Sequence, residues 1–282
     1  MSRFAVASLQ LALGEGDNRA RIERAVALLV ERFPWVQMVV LPELCAFGTS
    51  LERAETLPGE TEQRFQALAR RHGLWLLPGT LFERGAGLIY NTALVIDPAG
   101  HTVARYRKIY PFRPYEAGVA AGSEVVVFDV PEVGRFGVSI CYDGWFPEVS
   151  RALVCQGAEV ILHPTMTGTI DRSQELVIAQ ANAIMNQCYF VDVNNAGELG
   201  NGRSIVVGPE GEVLHQAGEQ TETIPLWLDL AHLRQVRRQG HKGLGQILKS
   251  FRDTEVDWPC YRPGGRAALQ GLGPLVMPDR AA

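Results

Sequence analysis

The apolar positions follow two rhythms that alternate along most of the chain. Short continuous apolar runs, such as Met38-Val39-Val40-Leu41 and Leu74-Trp75-Leu76-Leu77, predict strands covered on both faces. Between such runs, apolar residues return every three or four positions. From Asp17, read as an N-cap, the spacing of Ile22, Ala25, Leu29 and Phe33 predicts a first helix, and Phe65, Leu68 and Ala69 mark the inner face of a second over 61–71. Further strands are predicted over 4–9, 90–96, 101–107, 125–130, 136–141, 160–162 and 189–193, and helices over 146–155 and 172–186. Asp97-Pro98-Ala99-Gly100 is a turn signature, and Pro209-Glu210-Gly211 sits at the tip of a hairpin over 203–214. Strands alternating with helices predict an α/β layered fold with buried sheets. Nothing resembles a linker before residue 225. The rest, rich in Arg, Gly and Pro, reads as an extension over 226–282 that packs on the domain over 1–225 or on a partner subunit.

Composition narrows the picture chiefly by exclusion. A formal charge of −4 and a pI near 5.9 offer no basic surface, so nucleic acid is not an expected partner. No apolar run is long enough to span a bilayer, and Met1-Ser2-Arg3-Phe4 passes into a strand pattern without signal-peptide anatomy, so a cytoplasmic location is expected. The five cysteines are odd in number and contain no C-x-x-C pair, which argues against a disulfide framework or structural zinc. The six histidines are scattered, and Gly243-Leu244-Gly245 lacks the third glycine and preceding strand of a dinucleotide site. Neither a metal nor a cofactor is expected.

Three chemistry-bearing residues from distant parts of the chain share one kind of position. Glu43, Lys108 and Cys141 each lie at or just beyond the carboxyl end of a predicted strand, where α/β folds place their ligand crevice. Cys141 closes an apolar strand and precedes a turn into a helix, whose N-terminus favours thiolate. Such a cysteine is either a nucleophile or a small buried hydrophobe. Glu43, after four apolar residues and a proline, is either an ion-pair partner or a general base. Arg105 and Arg107 read as a solvated basic edge, a reading that suits Lys108 less well because it abuts Ile109 and Tyr110. Gly137-Val138-Ser139-Ile140-Cys141 lacks the final glycine of a serine-hydrolase elbow.

Taken together, these segments resemble the nitrilase superfamily of carbon–nitrogen hydrolases. Leu41-Pro42-Glu43-Leu44 is similar to its glutamate motif, Tyr106-Arg107-Lys108 to its lysine motif, and Ile140-Cys141-Tyr142-Asp143 through Pro147-Glu148 to its cysteine motif. Tyr90-Asn91-Thr92, Gly202-Arg203-Ser204 and Pro209-Glu210-Gly211 support the match, which runs in order from residue 4 to about 215. The resemblance implies an α-β-β-α sandwich that dimerises into an eight-layered assembly. It also implies a second glutamate beyond the lysine, and the spacing seen in aliphatic amidases nominates Glu116.

The implied chemistry makes Cys141 the nucleophile, Glu43 the base, and Lys108 with the Tyr142 amide the oxyanion donors. Glu116 holds Lys108 or guides the substrate. True nitrilases usually carry Trp-Glu after the cysteine, whereas Tyr142-Asp143 here is closer to the aliphatic amidase and N-carbamoyl branches. A small amide is therefore the expected substrate, with a carbamoyl (ureido) compound as the alternative and a nitrile behind both. Tyr142, Trp145, Met166 and Thr167 are the candidate substrate-binding residues. An acyltransferase of the membrane type would need spanning helices, a synthetase glutaminase a second catalytic domain, and an inactive binding scaffold would normally have lost one of the three residues.

Overall fold

The computed structural model describes residues 3–277. Its first sheet contains β1 (Arg3–Gln10), β2 (Met38–Val40), β3 (Trp75–Leu77), β4 (Thr80–Gly85), β5 (Leu88–Ile96), β6 (Thr102–Arg107) and β7 (Val119–Ala120). The second is built from β8 (Val126–Val130), β9 (Gly134–Val138), β10 (Val160–Thr165), β11 (Tyr189–Asn194), β12 (Ile205–Val207) and β13 (Val213–Gln216). The chain then returns to the first sheet with β14 (Glu222–Asp229), which runs antiparallel along all of β1. The first sheet has the order β14-β1-β2-β3-β5-β4, with β6 and β7 also paired to β5; the second is ordered β13-β12-β11-β10-β9-β8. Each has a parallel centre, β1-β2-β3 in one and β9-β10-β11 in the other.

Two-sided burial explains the continuous apolar runs. Within β2, Met38 and Val40 face the second sheet, while Val39 belongs to the core beneath helices α1 (Arg19–Arg32) and α2 (Glu60–His72). In β10, Val160 and Leu162 face the first sheet, and Ile161 packs toward α3 (Pro147–Cys155) and α4 (Arg172–Asn186). Alternate residues thus feed the inter-sheet core and the two helix–sheet cores. The result is an α-β-β-α sandwich. No helix among the described residues is long and apolar enough to cross a membrane.

The expected boundaries shift in informative places. Asn18 occupies the N-cap position of α1 without a side-chain cap bond, its amide donating to Gly14 O, while the Asp17 carboxylate accepts from the Arg19 backbone N–H (3.0 Å) and pairs with the Arg19 guanidinium. β4 was not predicted, because its polar Glu83 and Arg84 interrupt the apolar run. The boundary at 225 falls inside β14, and the sandwich continues through α5 (Leu230–Gln239), which buries Leu230, Leu233 and Val236. Pro225 lies within this strand, which an edge position tolerates. Beyond Gly240 the chain is largely exposed and lies on the same domain, where Tyr261 donates to Glu148 (2.9 Å) and the Arg151 guanidinium covers the Phe251 ring. Residues 278–282 of the expected extension lie outside the described residues.

This placement predicts unequal truncations. Ending the chain at 225 removes half of β14 and all of α5, and is expected to abolish the cooperative unfolding transition followed by circular dichroism. Ending it after Gly240 is expected to preserve that transition. Leu233→Ala, a buried truncation, should lower the unfolding free energy by about 2–5 kcal/mol in urea titrations.

Candidate active site

The site is assembled at the carboxyl ends of strands from both sheets. Glu43 follows β2, and the loop carrying it is fastened on both sides. Its backbone amide donates to Thr165 O of the second sheet (3.2 Å), and Asn195 donates from its side chain to Glu43 O (2.7 Å). Gly79, at φ +74°, lets the backbone approach this loop; a Cβ there would lie 1.8 Å from Pro42 O.

Lys108 comes directly after β6 and is 1% exposed. Its Nζ donates to Glu43 Oε1 (2.8 Å) and Glu116 Oε2 (2.9 Å), which leaves its third N–H for the cavity that it lines. Asn91 adds a second donor to Glu43 Oε1 (2.7 Å) and reaches Glu116 Oε1 (3.4 Å). Burial works against the Lys108 charge, but Glu43, Cys141 and Glu116 more than offset it and hold the ammonium well above its usual range. Burial pushes the Glu43 carboxyl up, and Lys108 opposes that rise.

Cys141 begins a short 3₁₀ segment, Cys141–Trp145, beyond the end of β9, and does not lie in the strand itself. Its φ of +45° is left-handed, an uncommon conformation for a residue with a side chain, and α3 starts only at Pro147. The thiol shares the cavity with Glu43, and its Sγ is 3.9 Å from Thr167 Oγ1. Burial, then the Glu43 carboxylate, push the Cys141 thiol well above the ordinary value, with Lys108 opposing them. The thiolate expected from a helix N-terminus is thus replaced by a neutral thiol, because desolvation and a neighbouring carboxylate outweigh a helix that starts later. Cys45 and Cys188 are buried away from any acid–base partner and are pushed up to about 12, chiefly by burial.

A residue that the sequence reading left without a role fastens the two halves of the site. Asp143 is fully buried and accepts hydrogen bonds from Tyr106 Oη (2.7 Å), Tyr110 N (2.8 Å) and Ile140 N (2.9 Å). Tyr106 and Tyr110 flank Lys108, and Ile140 precedes Cys141. Burial raises the Asp143 carboxyl to about 6 despite these donors. A second buried group stands behind the nucleophile. Thr167 donates to Glu175 Oε1 (3.0 Å), Arg172 holds Glu175 (3.0 Å), and the same guanidinium bridges to Asp192 (2.8 Å). Burial lifts Glu175 to about 7. Its only signal in the sequence was its position on the apolar side of α4.

A cavity of about 320 Å³ opens onto Glu43, Lys108, Glu116 and Cys141. Met166 lines it. Tyr142, Trp145 and Thr167 do not. Tyr142 packs its ring edge-on against Phe112 (5.0 Å) and Phe146 (5.2 Å), Trp145 reaches the surface, and Thr167 lies behind the sulfur. The cavity walls come instead from the segments after β2 and β6, with Leu44, Leu51, Phe112, Tyr115 and Val119, and from Phe82 of β4. Among the described residues no cluster of three or more His, Cys, Asp or Glu side chains could hold a metal. His163, pushed down to about 4 by burial, packs under Gly144 and bonds Ser139 (2.7 Å).

The chain is similar to known proteins in sequence and in fold. The chain matches the carbon–nitrogen hydrolase family over residues 5–238. Omega-amidase NIT2 of Homo sapiens is 30% identical over 257 residues, which cover 84% of this chain and 92% of that protein. Deaminated glutathione amidase of Synechocystis sp. is 31% identical over 264 residues, covering 85% of this chain and 96% of its own length. Among solved structures, a mutant of the Nesterenkonia AN1 amidase from the nitrilase superfamily superposes with a TM-score of 0.74 at 26% identity, over 85% of this chain and 96% of that one. With its sandwich, its buried glutamate and lysine and its cavity-facing cysteine, the chain belongs to the carbon–nitrogen hydrolases of the nitrilase superfamily and is of the amidase type.

Proposed function

We propose that the protein hydrolyses a primary amide to a carboxylic acid and ammonia through a thioester on Cys141. What carries this reading is the meeting of one thiol, one carboxylate and one ammonium in a single cavity. Glu43 takes the thiol proton as sulfur attacks the carbonyl carbon. The oxyanion is met by the free N–H of Lys108 and by the Tyr142 amide. Glu43 returns the proton to nitrogen, the C–N bond breaks, and ammonia leaves. Water then gives a proton to Glu43 and its oxygen to the thioester carbon, the acid departs, and the thiol regains its proton. Glu116 holds Lys108 in place and in charge.

Two further observations favour an amide over the ureido and nitrile alternatives. Tyr142-Asp143 stands where nitrilases usually carry Trp-Glu, and the relatives named above are amidases. In a Glu-to-Gln mutant of the Nesterenkonia amidase, acrylamide adds to the active site cysteine by Michael addition.

The roles can be separated by substitution. Cys141→Ala should abolish turnover and leave the fold intact, and the wild-type enzyme should carry one acyl adduct, on the peptide holding Cys141, by mass spectrometry. Glu43→Gln and Lys108→Arg should each reduce kcat/KM by about 10²-fold or more, the usual scale for a base or an oxyanion donor. Activity within a few-fold of wild type would contradict either role. Because burial raises Glu43, raising the pH ionises it late, and kcat/KM should climb through an acid limb whose midpoint lies above the ordinary 4.5. Glu175→Gln should retain that limb if it belongs to Glu43.

The substrate is tested by matched compounds. Butyramide should exceed butyronitrile and propylurea in kcat/KM, a ratio that compares transition-state stabilisation directly. A nitrile that outpaces the amide, or a urea that wins by about tenfold, would replace the amide reading while leaving Cys141 in its role.

A further inference from the structure

Resting on the amidase reading, we infer that the acyl part of the substrate is uncharged and apolar, a chain or ring of several carbons, and that the monoamide of a dicarboxylic acid is rejected. The lining of the cavity is of two kinds. Glu43, Lys108, Glu116 and Cys141 are its reactive groups, and the other walls include Leu44, Leu51, Phe82, Phe112, Val119 and Met166. Leu44, Phe82 and Val119 form one buried apolar cluster, with Leu51 and Met166 packed against it. Phe112 and Tyr115 stack at 4.8 Å and extend the same surface toward the mouth. Its 320 Å³ leaves room, beyond the carboxamide, for about four to eight carbons on a scale of about 30 Å³ per water-sized group.

A second carboxylate on the substrate would find no second cation there, and Tyr115, whose ring is exposed near the mouth, is the one lining phenol. Among the described residues lining the cavity, Lys108 is the one cation, and two of its three N–H groups already serve Glu43 and Glu116. The arginines nearest in sequence are committed elsewhere. Arg107 pairs with Glu83 (2.6 Å), Arg113 donates to the carbonyls of Glu116 and Val119, and Arg53 lies over the Phe47 ring. The Thr49 hydroxyl donates to Glu15 (2.7 Å). A distal carboxylate would be stripped of water against apolar walls, in a cavity that already holds two carboxylates for one ammonium. Apolar carbons, by contrast, gain by leaving water at every added methylene.

A grid of substrates separates this inference from the amidase reading. Carboxamide, nitrile and urea headgroups are each joined to methyl, propyl, pentyl, benzyl and 2-carboxyethyl groups, and kcat/KM is measured for the wild-type enzyme. Within any headgroup that is turned over, propyl should exceed methyl by roughly threefold or more per methylene. The 2-carboxyethyl compound should fall at least about 100-fold below its propyl counterpart. Leu51→Lys, which places a cation on the acyl wall, should raise the 2-carboxyethyl to propyl ratio by about tenfold. If 2-carboxyethyl matches or beats propyl, or if Leu51→Lys leaves the ratio unchanged, the acyl inference falls and the amidase reading stands. If nitriles or ureas win with the same order of tails, the amidase reading falls and the acyl inference stands. Turnover of no compound overturns both.

Discussion

The buried ammonium of Lys108 is the constraint around which the site is organised. A lysine removed from water is costly unless its charge is met at close range. Here Glu43 and Glu116 meet it at 2.8 and 2.9 Å, and Asn91 adds a neutral donor to the same carboxylates. The network draws together three segments that the chain order keeps far apart. It also tolerates little movement, because Lys108 N bonds Asn91 O, and Gly122 N bonds Lys108 O at 2.7 Å. A Cβ at Gly122 would lie 2.1 Å from Arg107 O, so this close approach requires glycine.

The first sheet supplies the ions and the second supplies the sulfur, so the two must be held in register. Asp143 provides that link. Its carboxyl takes one bond from Ile140, beside Cys141, and two from Tyr106 and Tyr110, on either side of Lys108. Backbone amides are obligate donors, and no neutral apolar residue can satisfy them. The acid after the cysteine is therefore explained by position, and it neither touches the cavity nor takes part in the proposed proton transfers. Its burial is tolerated because three donors surround it.

What was legible in the sequence was whatever burial writes as a pattern. Strands covered on both faces appear as short apolar runs, and the helix expected over about 172–186 is found at Arg172–Asn186. Glu43, Lys108 and Cys141 were legible because chemistry-bearing residues follow such runs, and the resemblance then joined them. β4 and β14 were obscured by polar residues and a proline, because an outer strand needs only one covered face. Cavity walls were the least legible. Leu51, Phe82 and Val119 look like any apolar residue, and only the folding of distant segments onto one another turns them toward Cys141. Trp145 and Tyr142 drew attention because they neighbour the nucleophile in sequence, yet the Tyr142 ring packs on Phe112 and Phe146 and neither side chain lines the cavity.

The charges at the site also bear on when the nucleophile forms. A thiolate at rest would add a third negative group to a pocket that holds one ammonium and two carboxylates, and burial raises the cost of each. The proposed resting state is accordingly a neutral thiol beside a Glu43 carboxylate that accepts from Lys108 and Asn91, donors that oppose the rise caused by burial. Passing the proton from sulfur to Glu43 relocates negative charge without adding any. That charge moves on to the carbonyl oxygen as the S–C bond forms, toward the Lys108 N–H that neither carboxylate occupies. Substrate binding also expels water, which strengthens this last interaction at the moment it is needed. A hydrophobic acyl group performs that expulsion better than a charged one, so the apolar walls and the buried ions belong to the same electrostatic argument.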